Sequence, residues 1–359
     1  MDKYFKAVFL YWYMIAVLAF RRRMIAEGAT FETDETLTTN IIELGETEYN
    51  DASLVVTPNG YDEGVLYAVK PNDGTGDFDY VQNTGNGTRF NEQGEIEVLP
   101  ANTPRITWVD GEPEILVESS TTYLLENSDN LLTGLWSNNT DISNVGTFVG
   151  ITKWRHLNSG TAGIVGSGYE ALRSSASYPL TAGLDYTFSF IVEFGTSPAI
   201  GLLFRADTIS VVNISVNSDL TFSGLVDDGS YSNLEGRFTE IQNTGVYIVE
   251  IKFTAVNTEN YQLPTRTGNC NIGDVGSAVE GSTSFFGNFA FRQGGFSTSR
   301  CITGDSTVTR NDDVYSINPP AGTTEIVEYL ADGTINTITT IPATYTPDVG
   351  IYKRIIFKS

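Results

Sequence analysis

From Ser53 onward, short apolar runs alternate with polar positions, and turn-forming clusters interrupt them at close intervals. LDYTFSFIVEF puts Tyr186, Phe188, Phe190 and Val192 on one side, and GVYIVEIKFTAV does the same with Tyr247, Val249, Ile251, Phe253 and Ala255. A period of two held over such lengths predicts strands with one buried face. ISVVNISV and SFFGNFAFR predict further strands. Between Ser53 and Leu99 the clusters PNG, NDGTGD, NTGNG and NEQG supply positive φ and side-chain-to-backbone bonds, which mark chain reversals. Asp110-Gly111 and Asp332-Gly333 predict two more hairpins, and GIYKRIIFK a closing strand. The pattern predicts a mainly β protein: an antiparallel jelly-roll-like β-sandwich with smaller β-hairpin modules.

The first two dozen residues follow a different rule. Ala7 to Phe20 is 14 residues without a charge, and Tyr4 to Lys6 extend the segment to 17. As a helix it measures about 21 to 26 Å, short of the roughly 30 Å hydrocarbon core of a bilayer. The prediction is an N-terminal hydrophobic helix anchored through Ala7, Phe9, Trp12, Ile15 and Leu18 and closed by Arg21, Arg22 and Arg23. Arginines stand where a signal peptide would place small residues and a cleavage site, which argues against cleavage. Two readings stay open. The helix enters lipid, with Tyr11, Trp12 and Tyr13 at the interface and the arginines on headgroups, or it is buried in a protein socket or an oligomer bundle. The domains expected are this anchor (1–23), a β-hairpin attachment region (24–124), the sandwich (125–316) and a C-terminal hairpin module (317–359), with SINPPAGTT (Ser316 to Thr324) as the linker before the last.

Charge and rare residues narrow the chemistry. The 359-residue chain carries a formal charge of −23, and between Glu27 and Glu97 its only basic residues are Lys70 and Arg89. Nucleic-acid binding needs clustered Lys and Arg, so nucleic acid is excluded as a partner. Cys270 and Cys301 fit either one bridge or two buried thiols. The sole histidine, His156, cannot build a histidine metal site, and no G-x-S-x-G elbow accompanies it. It reads as a surface or interface residue. No catalytic residue, metal or cofactor is expected. Asp227 and Asp228 leave a glycosidase open by inventory, yet their Gly- and Asn-rich context reads first as a turn. Asp73, Asp77 and Asp79 read as a turn ahead of a calcium loop.

Glycan binding calls for an aromatic face beside short polar side chains. KWRHLNSG gathers Trp154, Arg155, His156 and Asn158, and DDGSYSN offers Tyr231. Trp154 fits two roles, a stacking platform or a core residue.

Four stretches carry a family resemblance. IAEGATFE (Ile25 to Glu32), TRFNEQGEIEVLPANTPRI (Thr88 to Ile106), NLLTGLWSNN (Asn130 to Asn139) and FFGNFAFRQGGFSTSRCITGDSTVTRNDDV (Phe285 to Val314) resemble, in this order, segments of virion structural proteins of Bacteroidetes phages. The resemblance implies a non-enzymatic tail-fibre or spike component on the exposed surface of a virion. It also implies a homotrimer whose partners are other virion proteins (capsid vertex, collar or tail) and a host-surface glycan, with lipid a further partner if the helix meets membrane. Ser299 to Thr303 reads Ser-Arg-Cys-Ile-Thr where the family has Ser-Tyr-Ile-Pro-Thr, and the apolar helix is outside the family pattern. The alternatives are a membrane-anchored bacterial envelope protein that binds glycans, and a capsule depolymerase.

Overall fold

The computed structural model describes residues 46–359 apart from 72, 127–129, 132–135, 139–141, 159–171, 175–176, 207–210, 226–228, 278, 297–298 and 305. The anchor residues Ala7 to Arg23 lie outside the described residues, as do Asp227 and Asp228. Among the described residues no helix is long and apolar enough to cross a membrane.

After a short helix α1 (Glu46–Asp51) come β1 (Ala52–Asp62), β2 (Val65–Lys70), β3 (Phe78–Val81), β4 (Thr88–Phe90), β5 (Ile96–Val98), β6 (Ile106–Val109) and β7 (Glu112–Val117). Then follow β8 (Thr121–Tyr123), β9 (Trp136–Asn138), β10 (Ile142–Phe148), β11 (Ile151–Leu157), β12 (Leu172–Ser174), β13 (Tyr178–Leu180), β14 (Asp185–Glu193) and β15 (Ala199–Ala206). They continue with β16 (Val211–Asn217), β17 (Phe222–Ser223), β18 (Tyr231–Glu240), β19 (Tyr247–Ala255), β20 (Glu259–Cys270), β21 (Thr283–Gln293) and β22 (Val308–Arg310). The chain closes with β23 (Val314–Ser316), β24 (Glu325–Leu330), β25 (Ile335–Ile338) and β26 (Gly350–Lys358). The protein is mainly β and its sheets are antiparallel.

These strands form two compact units. The first combines described residues up to Gln93 with Glu97–Ser120 and Asn311–Ser359; the second takes Gly94–Ile96 and Thr121–Arg310. The 317–359 segment, read from sequence as a separate module, therefore shares a sheet with the N-terminal strands. Its strand β26 lies between β1 and β24 in the order β23-β3-β2-β1-β26-β24-β25, and also pairs with β7. The reason is the apolar face of β26: Tyr352, Ile355 and Phe357 enter one core with Leu54, Val56, Ile106 and Ile115. Phe78, Tyr345 and Phe357 meet edge-on there, with ring centroids 5.3 to 6.2 Å apart. Ser316 to Thr324, expected as an interdomain linker, joins two strands of this sheet, and Ile317 bridges to Tyr345.

Asp110-Gly111 and Gly333 turn with positive φ where hairpins were expected. Pro58-Asn59-Gly60 does not turn. β1 runs through it with a register irregularity against β2 between Val56 and Tyr61, so the extra residues are absorbed as a bulge.

Charge is buried where the first unit's three chain segments join. Arg105 is 1 % exposed. Its Nη1 donates to Glu118 Oε2 at 2.8 Å and Asp313 Oδ2 at 2.7 Å, while Nε and Nη2 donate to Thr88 O. Asp313 also accepts from Tyr80 OH at 2.8 Å and from the Glu118 amide at 3.0 Å. Burial, then Tyr315 and Asp313, push Tyr80 far above the usual phenol range, so it stays protonated and donates. Removing one partner strands the others without water, which costs far more than an exposed pair would. Asp313→Ala is expected to destabilise the first unit by about 3–5 kcal/mol, read as a fall in its urea midpoint; a change under about 1 kcal/mol would reduce the cluster to the worth of a surface pair.

Glu114 on β7 is 3 % exposed. Burial pushes its carboxyl up to about 7, with Lys353 pulling the other way and Asp110 and Glu112 adding to the rise. A carboxyl raised in the folded state contributes stability that is full below its unfolded pKa of about 4.3 and is lost as pH climbs through the folded value. Glu114→Gln should match the native protein in urea stability at pH 4 and exceed it by about 2 kcal/mol at pH 8.

Candidate functional site

The second unit stacks two sheets over one core. One sheet has the order β10-β11-β21-β14-β19-β18, with β8 and β22 attached through β21; the other runs β17-β16-β15-β20-β12-β9, with β13 on β20. Tyr186, Phe188, Phe190 and Val192 of β14 and Val249, Ile251, Phe253 and Ala255 of β19 face this core with Ile200, Leu202 and Phe204 of β15. Tyr247 packs at its margin. Phe188 meets Phe204 across the sheets edge-on at 5.4 Å.

This alternation sorts the residues predicted to bind a ligand. On β11, Trp154 is 3 % exposed and belongs to the core, so its ring offers no face to a sugar. His156 points the same way and is fully buried, which corrects its reading as a surface residue; its Nδ1 accepts the Asn269 amide at 3.3 Å. Asn158 is buried and donates to Val279 O at 3.1 Å. Tyr231 lies in the core, packed against Phe253 and Tyr261 at 5.1 and 5.3 Å. These four are structural. Arg155 alone points outward and is exposed.

Arg155 meets a group that sequence reasoning missed. It sits opposite Phe285 of β21, whose other neighbour is Glu193 of β14. Lys153 places its Nζ 4.2 Å from the Phe285 centroid and 2.6 Å from Glu193 Oε2. The hydroxyls of Thr196 and Thr283 lie 3.1 Å apart on the same strand end. Phe285, Arg155, Lys153 and Glu193 thus form a partly exposed patch of aromatic ring, two cations and one carboxylate. It can stack on C–H groups, donate through the cations and accept through Glu193.

A bulge in β21 turns Phe285 outward. Ser189 pairs with Ala290 but Ile191 pairs with Gly287, so Asn288 and Phe289 together oppose Phe190. Asn288 takes a φ of 43°. The bulge lets Phe286 and Phe289, three apart, both face the core, where Phe289 stacks on Phe190 at 5.3 Å. In sequence SFFGNFAF offers no way to choose which phenylalanine faces out; the glycine beside the pair is the only signal.

Asn288 also fastens the segment Ser299 to Thr303. Its carbonyl and Oδ1 accept from the buried Arg300, Cys301 packs with Tyr123 and Ala290, and Thr303 donates to Leu125 O at 2.7 Å. Cys270 and Cys301 are free, buried thiols, and burial pushes Cys270 up to about 11, so it is protonated and unreactive at neutral pH. Asp73 accepts the turn amide of Thr75 at 3.0 Å, and Asp77 accepts the β2 amide of Ala68 at 2.9 Å. Among the described residues no cluster of His, Cys, Asp and Glu stands where it could hold a metal ion.

Neither a scan against protein-family models nor a search of curated proteins finds a match to this chain.

Glycine is needed at two places around Phe285. A Cβ on Gly287 would lie 2.4 Å from Thr152 O, and one on Gly195 would lie 2.7 Å from Thr283 O. Gly287→Ala should cost about 1–3 kcal/mol in thermal or urea unfolding by forcing β21 from β11; an unchanged midpoint would show that the strands part without penalty.

Proposed function

We propose that this is a non-enzymatic phage virion structural protein, a fibre or spike component rooted by its N-terminal segment and displaying a sandwich of jelly-roll type to host-surface glycan. The observation that carries the binding role is the outward patch of Phe285, Arg155, Lys153 and Glu193. Pyranose recognition uses an apolar ring edge next to fixed donors and acceptors, and this patch brings both together on a rigid sheet. The two facing sheets, which the chain crosses between repeatedly, support the jelly-roll reading. The attachment role rests on the phage-like segments and the apolar N-terminal stretch. An acidic surface suits a protein crowded on a particle, since net charge opposes association.

The test is binding to purified capsular and lipopolysaccharide glycans from candidate Bacteroidetes hosts, for the native protein and for Phe285→Ala and Arg155→Ala. Binding that falls at least tenfold in both variants, with unfolding midpoints unchanged, supports the proposal. Absence of glycan binding, or equal binding by the variants, refutes the assigned patch. Finding the protein in purified virus particles by mass spectrometry tests the virion assignment separately; recovery only in host envelope fractions would favour the bacterial envelope alternative.

A further inference from the structure

Open sheets expose unpaired backbone groups at their edges, and natural proteins guard them with charge, proline, bulges or short strands. Most edges here carry such a guard among the described residues. β18 bears Glu235, Arg237 and Glu240. β10 carries a register irregularity between Asn144 and Thr147 and a Gly146 φ of 114°. β13 contains Pro179, β17 is two residues long, and β23 is three.

β25 carries neither charge, proline nor bulge and, unlike the equally bare but buried β6, it is exposed. It reads Ile-Asn-Thr-Ile, pairs with β24 on one side and ends its sheet on the other. Ile335, Asn336 and Thr337 are exposed, Ile335 at 59 %. From Gly333 to Pro347 there is no charged residue. In a chain of −23, that neutrality decides which partner fits. Two copies repel across most of their surfaces and can approach where charge is missing. A partner recognised through basic or acidic side chains gains nothing from a neutral, β-branched edge, whereas an identical edge matches it in strand propensity and in twofold geometry.

We infer that β25 pairs antiparallel with β25 of a second copy of this chain, joining two sheets across a twofold axis. This pairing adds backbone hydrogen bonds without bringing charge to the contact. It is independent of the glycan patch, and it builds pairs of chains where the family resemblance implies trimers.

Single Ile335→Cys and Thr337→Cys variants of the full chain test it, in nonionic detergent so that residues 4–20 stay dispersed. The native thiols are buried, so a short bis-maleimide reports on the new ones. Covalent dimer at least fivefold above that of Ile272→Cys, an exposed control in the second unit, supports the inference. In parallel, sedimentation of the native chain should show pairs that Ile335→Lys reduces to single chains. Cross-linking no greater than the control, or an Ile335→Lys chain that keeps the native mass, overturns it.

Discussion

A guanidinium shut away from water has to be matched by carboxylates, and the carboxylates that match Arg105 stand 195 residues apart in sequence. In sequence, Glu118 and Asp313 flank Thr121–Arg310, the larger segment of the second unit. Their contacts with Arg105 make the first unit one body despite its interrupted chain. The apolar core alone would favour bringing β26 beside β1, since burial is non-directional. The charges add direction: only one placement of Asp313 satisfies Arg105, the Glu118 amide and Tyr80 at once. Immediately past the cluster, β8 and β22 pair antiparallel, Thr121 opposite Arg310, so the chain enters and leaves the second unit on neighbouring strands.

Within the second unit the governing constraint is alternation, broken once with consequence. The aromatic residues of β14 and β19 fill the space between sheets, and a regular β21 would have sent either Phe286 or Phe289 outward. The bulge at Asn288 keeps both inside and leaves Phe285 between Arg155 and Glu193. The rigidity of the outer patch thus follows from the packing beneath it. Two of its members are fixed through Lys153, which is bound to both the ring and the Glu193 carboxylate.

Local periodicity was legible in the sequence; long-range pairing was not. The faces of β14 and β19 and the turns at Asp110-Gly111 and Gly333 could be read because each depends on residues a few positions apart. Pro58-Gly60 carries the same chemistry as a turn, but the β-branched Val55, Val56 and Thr57 before it and the buried Tyr61 after it carry the strand through. The union of 317–359 with the N-terminal strands rests on contacts such as Ser53 with Phe357, 304 residues apart, for which no local pattern exists. Trp154, Arg155, His156 and Asn158 looked like one surface because they share the short stretch KWRHLNSG. A strand divides contiguous residues between two faces, sending Trp154 and His156 inward and leaving Arg155 outward, opposite Phe285 in the register.

The most direct test of the discontinuous first unit is native-state hydrogen exchange on the full chain, followed by peptide mass. The account predicts that amides of β1, β6, β7, β24 and β26 share one opening free energy and exchange together as denaturant is raised. Earlier exchange of β24 and β26, with β1, β6 and β7 still protected, would contradict it, because the C-terminal strands would then be a separate folding unit.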